Sequence, residues 1–247
     1  MKKNVIMLLV GLVLLTACKF ESISFGDGRK IEPSKNIVKN EYRQKAFKEV
    51  DVDVVANVKF IQSSADDYRV VLSCPDNYVE LFSFETDGDE LKVKFREQNV
   101  NIEGRNVDVT VYSPQLRKLE NSGVANVEID RLTADELELE NSGVGSLYLS
   151  GLVVDRLEAD CSGVGSMTLQ GEAGSAQLEC SGVGSIKAER LVAKTVKAEV
   201  SGVGGIKCHA TERIDGDVSG VGSLSYAGKP QQKNLQRSGV GGISEID

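Results

Sequence analysis

The chain has 247 residues, 29 Lys and Arg against 37 Asp and Glu, a net charge of -8 and 40% hydrophobic residues. That apolar content excludes wholesale disorder, and the acidic balance is a poor match to nucleic acid, whose binding is dominated by Lys and Arg contacts to phosphate. With no Trp and only 5% aromatic residues, a stacking platform for sugars or bases is hard to build.

The amino terminus reads as an export signal. Lys2 and Lys3 precede an apolar run over 5–15 that ends in Leu15-Thr16-Ala17-Cys18. A basic start, an apolar segment of about 7–15 residues and a small-residue cleavage site describe a secretory signal peptide. The run falls short of the ~20 residues of a spanning helix. Leu-Thr-Ala-Cys resembles a bacterial lipobox, which implies cleavage after residue 17 and a diacylglycerol on Cys18. Acyl chains anchor a protein through about 0.8 kcal/mol per buried CH₂. Loss of residues 1–17 removes two lysines and no acid, taking the net charge to about -10. Cys74, Cys161, Cys180 and Cys208 then remain, an even number that permits disulfides in an exported chain. None of them has zinc-ligand spacing to another Cys or to a His.

Residues 18–40 carry Gly26, Gly28 and Pro33, several charges and little periodicity, and are expected to form a flexible tether. Lys19-Phe20-Glu21 places charge just behind the anchor. The folded body is expected over 41–247, with irregular N-terminal strands or coils over 41–118 and regular repeats over 119–247. Val50, Val52 and Val54 alternate with Asp51, Asp53 and Val55, the period of a half-buried strand. Further strand-like runs stand at 58–62, 68–73, 78–84, 91–95 and 107–112, separated by turn residues such as Cys74-Pro75-Asp76-Asn77 and Asp87-Gly88-Asp89. We read this region as continuous with the repeats, a capping sheet being the alternative.

Ser-Gly-Val-Gly, or a close variant, begins at Ser122, Ser142, Ser162, Ser181, Ser201, Ser219 and Ser238, at spacings of 18–20 residues. Such self-similarity is the signature of a solenoid whose repeats bury their apolar faces on one another. The predicted fold is therefore all-β: a single-stranded parallel β-helix of about seven regular 18–20-residue coils. A right-handed winding is the general expectation for parallel crossovers. Before the motif stand Leu137 and Leu139, Leu157 and Ala159, Ala176 and Leu178, Val196 and Ala198, and Ile214 and Gly216. After it come Leu147, Met167, Ile186, Ile206, Leu224 and Ile243. Period-2 alternation puts these on one inward face, and the motif glycines mark a corner.

The residue just before each motif serine reads Asn121, Asn141, Cys161, Cys180, Val200, Val218, Arg237. Like sits beside like, so stacked amides can satisfy each other along a ladder. Cys161 and Cys180 are expected as two packed thiols rather than a disulfide, because in-register spacing somewhat exceeds the ideal Cβ separation. Arg237 turns a charge inward at the last coil, one way to stop edge-to-edge stacking.

Repeated Ser-Gly-Val-Gly-Ser followed by a short apolar strand resembles the bacterial head GIN domain, over roughly 47–247 including Phe47-Lys48-Glu49-Val50-Asp51-Val52. The resemblance implies an exported Bacteroidetes protein with a parallel β-helix fold and an adhesin role inferred from architecture. Here Val replaces the second Ser of the family's Ser-Gly-Ser-Gly-Asp-like turn, and Ser or Gly often replaces its Asp. No catalytic motif comes with the family.

Two residues before each motif serine stand Glu120, Glu140, Asp160, Glu179, Glu199 and Asp217, then Gln236. In register these form an outward column of like charges ~4.8 Å apart, which is either an acidic surface compensated by Lys118, Lys197 and Arg213 or a weak site for Ca²⁺ or a cationic partner. Calcium solenoids supply Asp within tight turns, a pattern missing here, so no cofactor is expected beyond that weak calcium possibility. Parallel β-helices include polysaccharide lyases and hydrolases, whose paired carboxylates would show as a local break in the repeat. The best breaks are the long coil 122–141 and the turn 229–233. His209, the lone histidine, has no recognisable partner. The expected function is a non-catalytic adhesion or interaction scaffold, a lipoprotein of the outer membrane facing the cell surface or the periplasm. Its partners would be the membrane through its lipid and an envelope or extracellular protein or glycan, not nucleic acid. A polysaccharide-binding or polysaccharide-cleaving protein is the alternative.

Overall fold

The computed structural model describes residues 30–246; the signal peptide, Cys18 and the first part of the expected tether lie outside the described residues. The strands in chain order are β1 (Ile37–Arg43), β2 (Glu49–Asp53), β3 (Val55–Gln62), β4 (Arg69–Pro75), β5 (Phe82–Asp87), β6 (Glu90–Phe95), β7 (Asp108–Ser113), β8 (Lys118–Asn121), β9 (Val124–Ile129), β10 (Leu132–Asn141), β11 (Val144–Cys161), β12 (Val164–Cys180), β13 (Val183–Val200), β14 (Val203–Val218), β15 (Val221–Ala227), β16 (Gln232–Arg237) and β17 (Gly242–Glu245). Strands make up 71% of the protein and stack in parallel into a β-solenoid of about six turns. Among the described residues no helix is long and apolar enough to cross a membrane.

The repeat predicts the stacking residue by residue. Asn121, Asn141, Cys161, Cys180, Val200, Val218 and Arg237 pair in unbroken parallel register. The seven motifs are therefore seven corners with six turns between them. Differences in coil length are absorbed between the corners, where the register slips at Leu149/Leu152, Thr168/Gln170 and Ala188/Val192.

Each corner needs glycine because successive coils touch there backbone to backbone. A Cβ on Gly143 would lie 2.1 Å from the Gly123 carbonyl oxygen. Gly165 adds a second reason: its φ is +155° and a Cβ would sit 1.7 Å from Gly145 O, in a backbone region that L side chains avoid.

Inside the coils, Leu139, Ala159, Leu178 and Ala198 stack beside Leu147, Met167, Ile186 and Ile206, all buried. Asn121 and Asn141 are fully buried, and Asn121 Nδ2 donates to Asn141 Oδ1 at 2.8 Å. Asn141 Nδ2 donates to Gly145 O at 3.4 Å, and the Cys180 thiol contacts Gly184 O at 3.5 Å in the same i to i+4 arrangement. Cys161 and Cys180 face each other as free, buried thiols. Arg237 ends the ladder, its Nη1 donating to Gly241 O at 2.9 Å.

The N-terminal region combines the two readings open in the sequence. β2–β3 lies directly on β8–β9, and β6–β7 lies on β2–β3 from the other side. These strands extend the parallel stack, but out of chain order. The outer edges of β6 and β7 are then covered by antiparallel strands, β5 on β6 and β4 on β7, with β1 beyond β4. This cap covers the edges of the parallel stack and moves the free edges to β1 and β5, away from the coils. It also shortens the expected tether of 18–40. Residues 37–43 form β1, Lys30 bridges to Asn101, and Asn77 bonds to Ser34 and Glu32.

The strand expected over 78–84 is instead a 3₁₀ helix, Asp76–Leu81, followed by β5. Tyr78 and Leu81 are three residues apart, the 3₁₀ repeat, and both turn toward the core. Tyr78 is fully buried, and its hydroxyl donates to Ile31 O at 2.7 Å.

Two outcomes follow for stability. Gly165→Ala destabilises the protein by at least about 1–3 kcal/mol from backbone strain alone, measured by urea denaturation. Asn141→Ala leaves the buried Asn121 amide without its acceptor and lowers stability by about 1–3 kcal/mol, whereas the double change Asn121→Val and Asn141→Val falls close to wild type; equal losses in both would contradict the ladder.

Candidate functional site

The outward carboxylates form the predicted column. Glu120, Glu140, Asp160, Glu179, Glu199 and Asp217 are in register on adjacent strands, with Gln236 after them. The column runs one coil further than the motif indicates, because Asp51 of β2 pairs with Glu120. Seven consecutive carboxylates therefore occupy neighbouring rungs. Burial against flanking side chains is the main cause that raises the pKa of Asp51, Glu120, Asp160 and Glu179 above the usual carboxylate range, and neighbouring acids add to it. Asp160 Oδ1 is shielded from solvent without a hydrogen-bonding partner.

Compensation is uneven. Lys118 lies 2.8 Å from Glu138, 3.0 Å from Glu140 and 4.0 Å from Glu120. Burial opposes its charge, yet the bonds to Glu138 and Glu140 hold its ammonium above the ordinary lysine range. Lys197 binds Glu199 at 2.7 Å. Arg213 does not serve the column: it pairs with Asp215, one column over, at 2.6 Å. Among the described residues no group of three or more His, Cys, Asp or Glu is arranged to hold a metal ion. The rungs offer one carboxylate per coil, whereas a Ca²⁺ ion gathers six to eight oxygens around one point.

The face beyond the corner carries a second arrangement, which the Ser-Gly-Val-Gly repeat alone does not indicate. Its outward residues fall into three columns. The motif valines Val164, Val183, Val203 and Val221 form the first and are more than half exposed. The second is small and polar: Asp108, Asn57, Asn126, Ser146, Ser166 and Ser185 pair in sequence. The third runs Thr110, Lys59, Glu128, Tyr148, Thr168 and Lys187.

Where these columns cross β7, β3, β9 and β11 lies an open depression of about 570 Å³, lined by Asn57, Lys59, Asp108, Thr110, Asn126, Glu128, Ser146 and Tyr148 with the backbone beneath them. Asn57 Nδ2 donates to Asp108 Oδ1 at 3.1 Å. Lys59 is held by Asp130 at 2.6 Å and Glu128 at 3.6 Å. Tyr148, 43% exposed, is the one exposed aromatic side chain among the described residues. Part of the depression falls in the long coil 122–141, one of the two breaks read from the sequence. Its other wall comes from β3 and β7, whose place in the stack no repeat reveals.

Cys74 and Cys208 are poor nucleophiles. Burial pushes Cys74 up to about 11 and Cys208 up to about 12, and the thiolate is the reactive form. His209 is half-buried on β14, with Gly228 seated against its imidazole ring.

The column makes a pH-dependent prediction. A carboxyl whose folded pKa exceeds its unfolded value binds more protons folded, so stability falls as pH rises from the ordinary carboxylate range through the raised folded values. The penalty is complete at neutral pH and absent below the unfolded pKa. Glu179→Gln removes a charge set between Asp160 and Glu199. It raises stability by roughly 0.2–1 kcal/mol at pH 7, the size of a cross-strand like-charge pair. The gain shrinks in ~1 M salt and vanishes near pH 3; thermal melts across that range would expose a pH-independent gain as a packing effect instead.

Comparison with known proteins agrees with the architecture. Residues 46–230 match the family model described as "Putative auto-transporter adhesin, head GIN domain". A crystal structure of a "putative adhesin" from Bacteroides fragilis is 36% identical with a TM-score of 0.84, covering 87% of this chain and 100% of that one. A "putative adhesin" from Parabacteroides distasonis shares the fold at 21% identity and a TM-score of 0.68, covering 88% and 100%. So does a "putative lipid binding protein" from the same species, at 18% identity and 0.74, covering 89% and 100%. No curated protein matches. With its repeated glycine corners, in-register ladders and a match spanning most of its length, the chain belongs to the head GIN domain family of adhesin-like proteins.

Proposed function

We propose that this protein is a lipid-anchored component of the bacterial cell envelope that acts as a non-catalytic adhesion or interaction scaffold. The observation that carries the reading is the pair of extended outward faces. Each is built from residues in register along the stack, so each presents a surface that extends over many coils. Solenoids use such elongated faces for binding partners. The family's adhesin description supports the same reading, as does the lipobox-like Leu15-Thr16-Ala17-Cys18. Between Cys18 and Lys30 there are 11 residues. At ~3.3–3.6 Å per extended residue they would hold the capped, N-terminal end of the solenoid within roughly 40 Å of the membrane. The C-terminal coils would then point away from it.

Anchoring and exposure are tested together. Cys18→Ala shifts the protein from the membrane to the soluble fraction, and protease added to intact cells degrades the wild-type protein. Cells lacking it adhere less to the surfaces that wild-type cells bind. Unchanged fractionation of the Cys18 variant, or adhesion independent of the protein, would overturn the respective half of the proposal.

A further inference from the structure

We infer that the depression over β3, β7, β9 and β11 is a binding subsite for an uncharged, hydroxyl-rich sugar residue. The inference rests on the scaffold reading above and names the chemical class of its ligand.

Position is the first argument. Along the regular coils the small polar column is Ser146, Ser166, Ser185 and Gly205. Across the depression it becomes Asn126, Asn57 and Asp108. The neighbouring column carries Thr and Lys throughout, and it is across the depression that Tyr148 and Glu128 are added to it. Groups of high hydrogen-bonding capacity are therefore concentrated where the repeat breaks. Elsewhere the small column stays Ser or Gly, while the third continues as Thr168, Lys187, Lys207 and Ser225.

Chemistry is the second. A pyranose offers adjacent hydroxyls, each donor and acceptor, and a patch of C–H bonds on one ring face. Side-chain amides supply both donor and acceptor, carboxylates accept, and Ser and Thr hydroxyls do either. Asn57, Asn126, Asp108, Glu128, Thr110 and Ser146 provide all of these over one surface. Tyr148 adds an apolar ring with a polar tip, suited to a surface that is half wet. The Asn57–Asp108 bond orders two of the ligating groups before a ligand arrives, which reduces the entropy lost on binding.

Charge is the third. Lys59 is already engaged by Asp130 and Glu128, and with Asp108 the surroundings are net negative. Sialylated, sulfated or phosphorylated ligands meet repulsion there, so the site favours neutral sugars. The depression, about 570 Å³, is open to solvent on one side. Its openness implies weak single-site binding, which many copies anchored on one membrane convert into avidity.

The test uses the full chain with its anchor, purified in detergent. It is applied to an array of neutral hexose and N-acetylhexosamine oligosaccharides printed beside their sialylated and sulfated forms, and retained glycans are checked by saturation-transfer NMR. The expected result is retention on neutral glycans, reduced roughly tenfold or more (about 1.4 kcal/mol) by Tyr148→Ala and by Asn126→Ala. Tyr148→Phe restores it, and Glu179→Gln on the other face leaves it unchanged. Retention of acidic glycans alone, or neutral binding indifferent to Tyr148→Ala, would overturn the assignment. A blank array with adhesion still lost on deletion sinks the subsite and leaves the scaffold standing. Neutral-glycan binding without any adhesion defect does the reverse.

Discussion

Everything in this molecule depends on the closeness of one corner to the next. At each motif the backbone of one coil rests on the carbonyl oxygen of the coil beneath, with no room for a Cβ. Such contact admits one register only, because a slip of one residue would bring a side chain into the gap and turn every inward residue outward. Once the corners are locked, the ladders follow. Leu stacks on Leu, Asn on Asn and Cys on Cys because each position repeats at the same distance from a corner that cannot move. Coil length is free to vary between 18 and 20 residues, since the slack is taken up away from the corners.

Rigid register also has an electrostatic consequence. A charge that is harmless on an isolated strand becomes one rung of a column when every coil carries it at the same place. From Asp51 to Asp217 seven carboxylates stand on adjacent strands, and among the described residues Lys118 and Lys197 are the cations that bond directly to members of that column. The repulsion works against the stack that creates it. What holds the stack is the apolar interior together with the continuous parallel hydrogen bonding of β10 to β15, and both grow with each added coil. The opposite face, with its valines and serines, carries far less charge and is free to take a different role.

The two ends are managed differently. At the N-terminal end the chain enters at the second layer, lays β6–β7 outside it, and covers the exposed edges with β5, β4 and β1. Aromatic packing closes this cap, with Phe82 5.1 Å from Phe95 and Tyr42 4.8 Å from Phe84. At the far end the final inward positions are Lys233, Leu235 and Arg237, in register with Ile214, Gly216 and Val218. Lys233 binds Glu245 at 2.7 Å and lies over the Tyr226 ring, while Arg237 folds onto Gly241 O. Charges at core positions resist further stacking, so one end is closed by strands and the other by solvation.

The sequence by itself determined the seven corners, the parity that sends Leu139 and Met167 inward, the Asn, Cys and Val ladder and the acidic column. Those features are periodic, and a period of two within a period of about nineteen can be read along one dimension. Residues 78–81, which alternation reads as the start of a strand over 78–84, complete a 3₁₀ helix instead because Tyr78 and Leu81 are spaced by three, and the tether expected over 18–40 runs into β1. Tertiary structure alone decided the order of the first layers and the depression that depends on it. Asn57 and Asp108 are 51 residues apart, and Asn126 is farther still from Asn57, yet they occupy consecutive rungs. Layers stacked out of chain order leave no periodic trace, because what places them is the burial of β2 and β3 between two later coils rather than any spacing between residues.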